Sequence, residues 1–152
     1  MVEIYKVLLK VRWGDLDFNA HMANTAYLNA AADVRMMYFE EHGFSVRNFE
    51  SLQIGPVVIK DEITYYKELR LLEDIEVHHL ISGMSEDGSR FRFRNDVYRL
   101  DGKKAASVTT TAGWLDLKKR ALVTPPQKLF EAMKGLVKTE DFEILPNSSQ
   151  KH

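Results

Sequence analysis

The chain has 152 residues, 45% hydrophobic and 28% charged, a length and balance that suit one folded domain around one core. Its 21 Lys and Arg against 22 Asp and Glu leave a net charge of −1, which argues against nucleic acid as the main partner but allows a small anionic ligand. The absence of cysteine removes disulfides, thiol nucleophiles, redox switches and thiolate metal sites.

Residues 1–13 are interrupted by Glu3, Lys6, Lys10 and Arg12, unlike a signal peptide. No apolar run approaches the roughly 20 residues that cross a bilayer. The expectation is a soluble, cytoplasmic protein with no membrane partner. Residues 5–13 alternate, with Tyr5, Val7, Leu9, Val11 and Trp13 on one side and Lys6, Lys10 and Arg12 mainly on the other. That period of two predicts a strand with one buried face. Residues 14–24 are small and polar and read as a loop. From Asn24 to about Glu41 the period becomes helical, because Tyr27, Ala31, Val34 and Tyr38 share one face and Gly43 supplies a stop. Ala26, Ala30, Ala31 and Ala32 keep this helix thin, so a sheet can approach it closely.

After Gly55 and Pro56, four extended stretches follow at about residues 57–69, 75–81, 90–100 and 104–117. Turn residues at 73–74, 86–88 and 101–102 separate them, which predicts sequential antiparallel strands. Pro125 and Pro126 end the sheet, and residues 127–137 suit a short helix. The organisation expected is a single domain over residues 1–140 and a loose polar tail over 141–152. One long helix followed by a meander makes the class α+β, with the helix packed on one face of the sheet.

Glycine-rich phosphate loops, dinucleotide-binding patterns and Gly-x-Ser-x-Gly elbows are absent. The histidines, His21, His42, His78, His79 and His152, have no metal-binding spacing, so no metal site is expected. His78 and His79 are adjacent in a strand and must point to opposite faces. The informative stretch is 12–28, where Asp15, Asp17, Asn19, His21 and Asn24 sit between a strand and a helix start. Unpaired N–H groups at a helix N-terminus can stabilise an oxyanion, and a carboxylate nearby can activate water or attack a carbonyl. The same residues also serve as turn formers and helix caps, the commoner role of Asp and Asn in such loops. Spacing alone leaves both readings open.

Asp15, Asp17, His21, Asn24 and Tyr27 match, at the right spacing, the Asp-x-Asp-x-x-Gly-His-x-x-Asn-x-x-Tyr signature. The chain therefore resembles the 4-hydroxybenzoyl-CoA thioesterase family, a branch of the hotdog-fold acyl-CoA thioesterases, over roughly residues 5–125. The resemblance implies a hotdog fold, an antiparallel sheet of about five strands wrapped around one long helix. It further implies hydrolysis of an acyl-CoA thioester to a carboxylic acid and CoA, without a metal or redox cofactor. Asp17 would be the catalytic carboxylate, as nucleophile or general base, with Asp15 supporting the loop. Backbone N–H groups near Asn24 would polarise the thioester carbonyl, His21 and Asn24 would shape the loop or orient water, and Tyr27 would contact substrate. The working unit implied is a homodimer or homotetramer with active sites at subunit interfaces, and a five-strand sheet has an edge that dimerisation can cover.

Two positions depart from the signature. Ala20 replaces the glycine before His21, and Ala23 stands where a second Asn is frequent. Glycine takes positive φ cheaply and alanine does not, which opens a different path for the His21 loop. Ala20 also keeps alive a non-catalytic module that binds acyl-CoA or acyl-carrier protein, and a hotdog hydratase or dehydratase is a further alternative. Arg90, Arg92 and Arg94 form a charge stripe, solvated in the simplest reading, from which Arg90 could reach a CoA phosphate. Lys118, Lys119 and Arg120 form a basic turn. Phe18, Met22, Met36 and Met37 suit either a fatty-acyl or an aryl pocket.

Overall fold

The alternation in residues 5–13 and the helical period after Asn24 both become structure, and the junction between them is where the chain departs from the simplest pattern. The computed structural model describes residues 3–148. Its strands and helices are β1 (Tyr5–Lys10), α1 (Asn24–Glu41), α2 (Val46–Leu52), β2 (Ile54–Tyr65), β3 (Asp74–Ser85) and β4 (Arg90–Arg99), then β5 (Lys104–Asp116), β6 (Ala121–Leu122), α3 (Gln127–Lys134) and β7 (Lys138–Leu145). β1 ends at Lys10, and a 3-10 turn at Trp13–Asp15 carries Trp13 out to solvent instead of onto the buried face. Val11 remains in the core.

The main strands lie in the order β1-β3-β4-β5-β2, each antiparallel to its neighbour, and the sheet curls around α1 as the hotdog arrangement requires. Ala31, Val34 and Tyr38 press α1 onto the sheet, and the small side chains along its first half allow the close approach. The count of strands rises from the expected five to seven. β6 pairs with the end of β5, and β7 pairs parallel with the second half of β3, beyond the part that β1 covers.

β7 corrects two expectations at once. It runs through Asp141 to Leu145, where a loose tail was expected, although residues 149–152 lie outside those described. It also covers the arginine stripe. Arg92 pairs with Glu143 at 2.7 Å, and Arg94 lies 4.0 Å from Asp141 and 3.3 Å from Asp96. A stripe read as solvated is therefore partly neutralised by acids some fifty residues away in sequence. The short helix α2 was also missed. Ser45 caps it, accepting from the Asn48 N–H, and Phe49 anchors it in the core.

The core has two parts. Phe39, Phe44, Phe49, Phe91, Phe93 and Trp114 interlock at one end of the sheet, with ring centroids 4.6–6.1 Å apart. At the other end, under the first half of α1, the packing is made of smaller residues such as Val11, Ala26, Ala31, Val77, Ala106 and Val108. His79 is fully buried between Tyr38 and Phe93, whereas His78 points outward beside Glu76, as adjacent strand residues must.

Candidate active site

The loop between β1 and α1 is a tight hairpin built by its own backbone. Leu16 bridges Met22, the Asp17 N–H donates to the His21 carbonyl at 2.8 Å, and the Ala20 N–H closes the turn onto the Asp17 carbonyl at 3.0 Å. A turn of this kind needs a left-handed residue before the chain returns. Ala20 supplies it at φ 64°, so alanine takes up the conformation for which glycine is preferred, at a cost of about 1–2 kcal/mol.

Asp15 and Asp17 part company here. Asp15 Oδ2 accepts from the Arg12 N–H at 2.8 Å and its Oδ1 from Arg12 Nη2 at 3.0 Å. The Arg12 guanidinium holds its carboxyl below the usual carboxylate range. Asp15 is therefore committed to the loop. Asp17 is exposed, and among the described residues only its Oδ1 is engaged, by the N–H groups of Asn19 (2.8 Å) and His21 (3.3 Å). Oδ2 has no partner among the described residues.

α1 begins without a side-chain cap. Ala23 is its N-cap, and the Asn24 side chain turns back to accept from the Thr25 N–H at 2.9 Å. The Asn24 N–H finds no acceptor among the described residues. The N–H groups of Thr25, Ala26 and Tyr27 already have acceptors, so the open donor of the first turn is that of Asn24, at the positive end of the helix.

These groups border one pocket of about 410 Å³, lined by Asp17, His21, Asn24 and Tyr27 from the loop and helix and by residues 65–69 opposite. The structure thus brings four of the five singled-out residues together. Arg90 is not among them. It starts β4, seven residues before Val97, which pairs with Ala106 opposite Tyr65; that is about 23 Å along the strand. Tyr27 is buried against Tyr65, with ring centroids 5.5 Å apart, and burial pushes its phenol up to about 12, so it stays protonated as a hydrogen-bond donor.

The far wall was not foreseen. His21 Nε2 lies 3.2 Å from Glu68 Oε2, and the Met22 N–H donates to the Leu69 carbonyl at 2.8 Å, so the segment after β2 clamps the loop. Glu68 fixes the orientation of the imidazole. No local signal announces this, because residues 21 and 68 meet only when the sheet closes. Of the pocket residues suggested by side-chain type, Met22 lines this site; Met36 and Met37 lie in a separate groove on the outer side of α1, and Phe18 is fully exposed at the loop tip. Among the described residues no cluster of three His, Asp or Glu side chains is placed to hold a metal, and no helix is long and apolar enough to cross a membrane.

A family model for the thioesterase-like superfamily matches residues 11–133. A Staphylococcus aureus protein solved in complex with CoA is similar over 100% of this chain and 96% of its own, at 20% identity and a TM-score of 0.79. A 1,4-dihydroxy-2-naphthoyl-CoA thioesterase from Synechocystis is similar over 87% of this chain and 96% of its own, at 14% identity and a TM-score of 0.77. A probable thioesterase from Escherichia coli is similar over 88% and 98%, at 22% identity and a TM-score of 0.72. No curated protein matches the chain.

Proposed function

We propose that this chain, which belongs to the thioesterase-like superfamily, hydrolyses acyl-CoA thioesters with Asp17 as its working carboxylate. The observation that carries the reading is the pairing, at one pocket, of an Asp17 oxygen without a partner and an uncapped helix start. The thioester carbonyl oxygen would accept from the Asn24 N–H, where negative charge develops as the carbonyl carbon becomes tetrahedral. Asp17 either takes the proton of an attacking water or attacks that carbon itself, giving a mixed anhydride that water then splits. In both routes the C–S bond breaks, the acyl group leaves as the acid, and CoA departs as a thiolate that gains a proton. His21, oriented by Glu68, and Asn24 shape the loop and orient the water, and the Tyr27 hydroxyl contacts the acyl end.

CoA as the carrier is supported by the S. aureus neighbour solved with CoA and by the neighbour named as a CoA thioesterase. The same reading takes the protein as a homodimer or a tetramer of dimers. β2 is an edge strand with Val58, Ile59 and Tyr65 exposed, the kind of open edge that a second copy covers. Arg90, at the other end of the sheet, can serve this pocket as a phosphate ligand only when a second copy delivers it.

The test is release of free thiol from short, medium, long and aryl acyl-CoAs. Turnover with any of them supports the reading, and the cysteine-free chain adds no background to a thiol reagent. A folded protein that binds acyl-CoA and releases no thiol would be the binding module instead.

A further inference from the structure

Hydrolysis through an acyl–Asp17 anhydride needs a base other than Asp17. A carboxylate that has become part of the anhydride has lost its charge, and the attacking water must give its proton to another group. Among the residues lining the pocket, His21 and Glu68 are placed for that step. His21 Nε2 lies 3.2 Å from Glu68 Oε2, and a carboxylate there favours the tautomer with the ring proton on Nε2. Nδ1 then carries the lone pair, and it has no partner among the described residues. The backbone N–H of the same histidine reaches Asp17 Oδ1 at 3.3 Å, so imidazole and carboxylate are neighbours on one wall.

Each member of the pair is held by contacts other than their own. On the Glu68 side, the Tyr66 and Lys67 N–H groups donate to the Ala105 carbonyl at 2.8 and 3.0 Å, and Leu69 is fully buried. On the His21 side, the Met22 N–H donates to the Leu69 carbonyl at 2.8 Å, and Met22 bridges Leu16. Residues 21 and 68 therefore meet across a fixed gap. His78 and Glu76 make a similar contact at 3.3 Å, but they stand two positions apart on one strand face, away from the pocket, where the spacing alone joins them. His21 and Glu68 come from separate segments, and both line the pocket. Two cations stand beside them: Arg70 Nη2 lies 4.0 Å from the same Glu68 oxygen, and Lys67 lines the pocket.

We propose that Glu68 and His21 form a carboxylate–imidazole dyad that activates the hydrolytic water, and that Asp17 is the nucleophile. The inference rests on the thioester reading of the pocket and selects one of its two routes. Asp17 Oδ2 attacks the thioester carbon, the C–S bond breaks, and CoA leaves as a thiolate that takes a proton from solvent. Water then attacks the acyl carbon of the anhydride while His21 Nδ1 takes one of its protons. The bond from that carbon to Asp17 breaks, which restores the carboxylate and frees the acid, and the imidazolium returns its proton to solvent. His21 touches the water and is catalytic. Glu68 acts through His21 and is a positioning residue, holding the tautomer and the positive ring that forms.

The test is rapid-mixing measurement of thiol release, using the acyl-CoA that the wild type turns over best. Glu68→Gln keeps the shape of a side chain that is 64% exposed. CoA leaves in the first step and the dyad acts in the second. The variant is therefore expected to release about one CoA per chain in a burst at the wild-type rate, then to turn over about 10²-fold more slowly. His21→Gln, which retains the backbone N–H to Asp17, is expected to give the same burst. Hydroxylamine attacks an anhydride without a base, so it is expected to restore steady release in both variants and to yield the acyl hydroxamate. Burst and turnover falling together, an unchanged steady rate, or no rescue by hydroxylamine overturns the dyad. A wild type that releases no thiol sinks the hydrolase reading and the dyad with it; wild-type turnover without a burst in either variant sinks the dyad alone.

Discussion

The two ends of the core are built from different materials. At the α2 end, Phe39, Phe49, Phe91, Phe93 and Trp114 fill the space between helix and sheet with large rings in edge or tilted contact. At the pocket end, alanines and valines do the same work, and among the described residues the one large buried ring there is Tyr27. The aromatic end holds most of the buried rings and is where the fold is expected to be anchored. The pocket end trades that area for room beside the helix start, where the Asp17 side chain and the open Asn24 N–H stand at one pocket. The aromatic core and the candidate site thus lie at opposite ends of one helix.

The sharpest way to break this division is at Trp114, eight residues along β5 from Ala106 and so about 27 Å from the pocket end. Trp114→Ala is expected to cost about 3–5 kcal/mol in urea unfolding, the range for truncating a buried aromatic, with KM for acyl-CoA unchanged in the folded fraction. A loss below about 1 kcal/mol would deny the aromatic end its anchoring role.

Between the two ends, His79 makes stability depend on pH. Burial, with the Arg35 charge adding to it, pushes its imidazole down to about 3. The unfolded chain protonates near 6.5 and the folded chain does not, so this contribution is whole above pH 6.5 and is lost as pH falls toward 3. The expected slope is about 1.4 kcal/mol per pH unit. It is cleanest between pH 6.5 and 5, where Asp15, Asp87 and Asp116, all lowered, remain ionised. Urea midpoints of wild type and His79→Leu across that window should converge as the pH drops. Parallel curves would mean that His79 is protonated in the folded state.

Much of this arrangement was legible in the residues. α1 came out at residues 24–41 because its apolar period is unbroken and Gly43 stops it. The β3-β4-β5 meander followed from turn residues such as Gly88 and Gly102, both with positive φ, whereas β2, expected beside β3, crosses over to pair with β5 and leaves β1 next to β3. β7 was illegible because its sequence is acidic, and acids are a strand signal only when the partner cations, Arg92 and Arg94, are already in view. Glu68 was missed for the same reason, its contact with His21 being made by sheet closure. Asp17, His21, Asn24 and Tyr27 gathered as the motif implied, since one loop and one helical turn carry all four. Arg90 did not gather with them, because a face shared along a strand says nothing about which end of the strand meets the site.

Ala23 is the smallest lever on the comparison and the most specific. An aspartate there would cap α1, accepting from N–H groups of the first turn. Ala23→Asp is expected to stabilise the fold by about 1 kcal/mol by accepting from the Thr25 or Ala26 N–H, and to lower kcat about tenfold or more because its charge beside the Asn24 N–H opposes the negative charge developing on the carbonyl oxygen. Unchanged kcat in a stabilised variant would move the oxyanion site away from the helix start.

The central claim is tested most directly at Asp17. Asn at that position keeps an oxygen for the N–H groups of Asn19 and His21, so the hairpin survives and only the charge and basicity go. Thiol release from the best acyl-CoA should fall about 10³-fold in Asp17→Asn while a non-hydrolysable thioether analogue of that acyl-CoA still binds. A wild-type rate in that variant would contradict the account and leave Asp17 as a turn former.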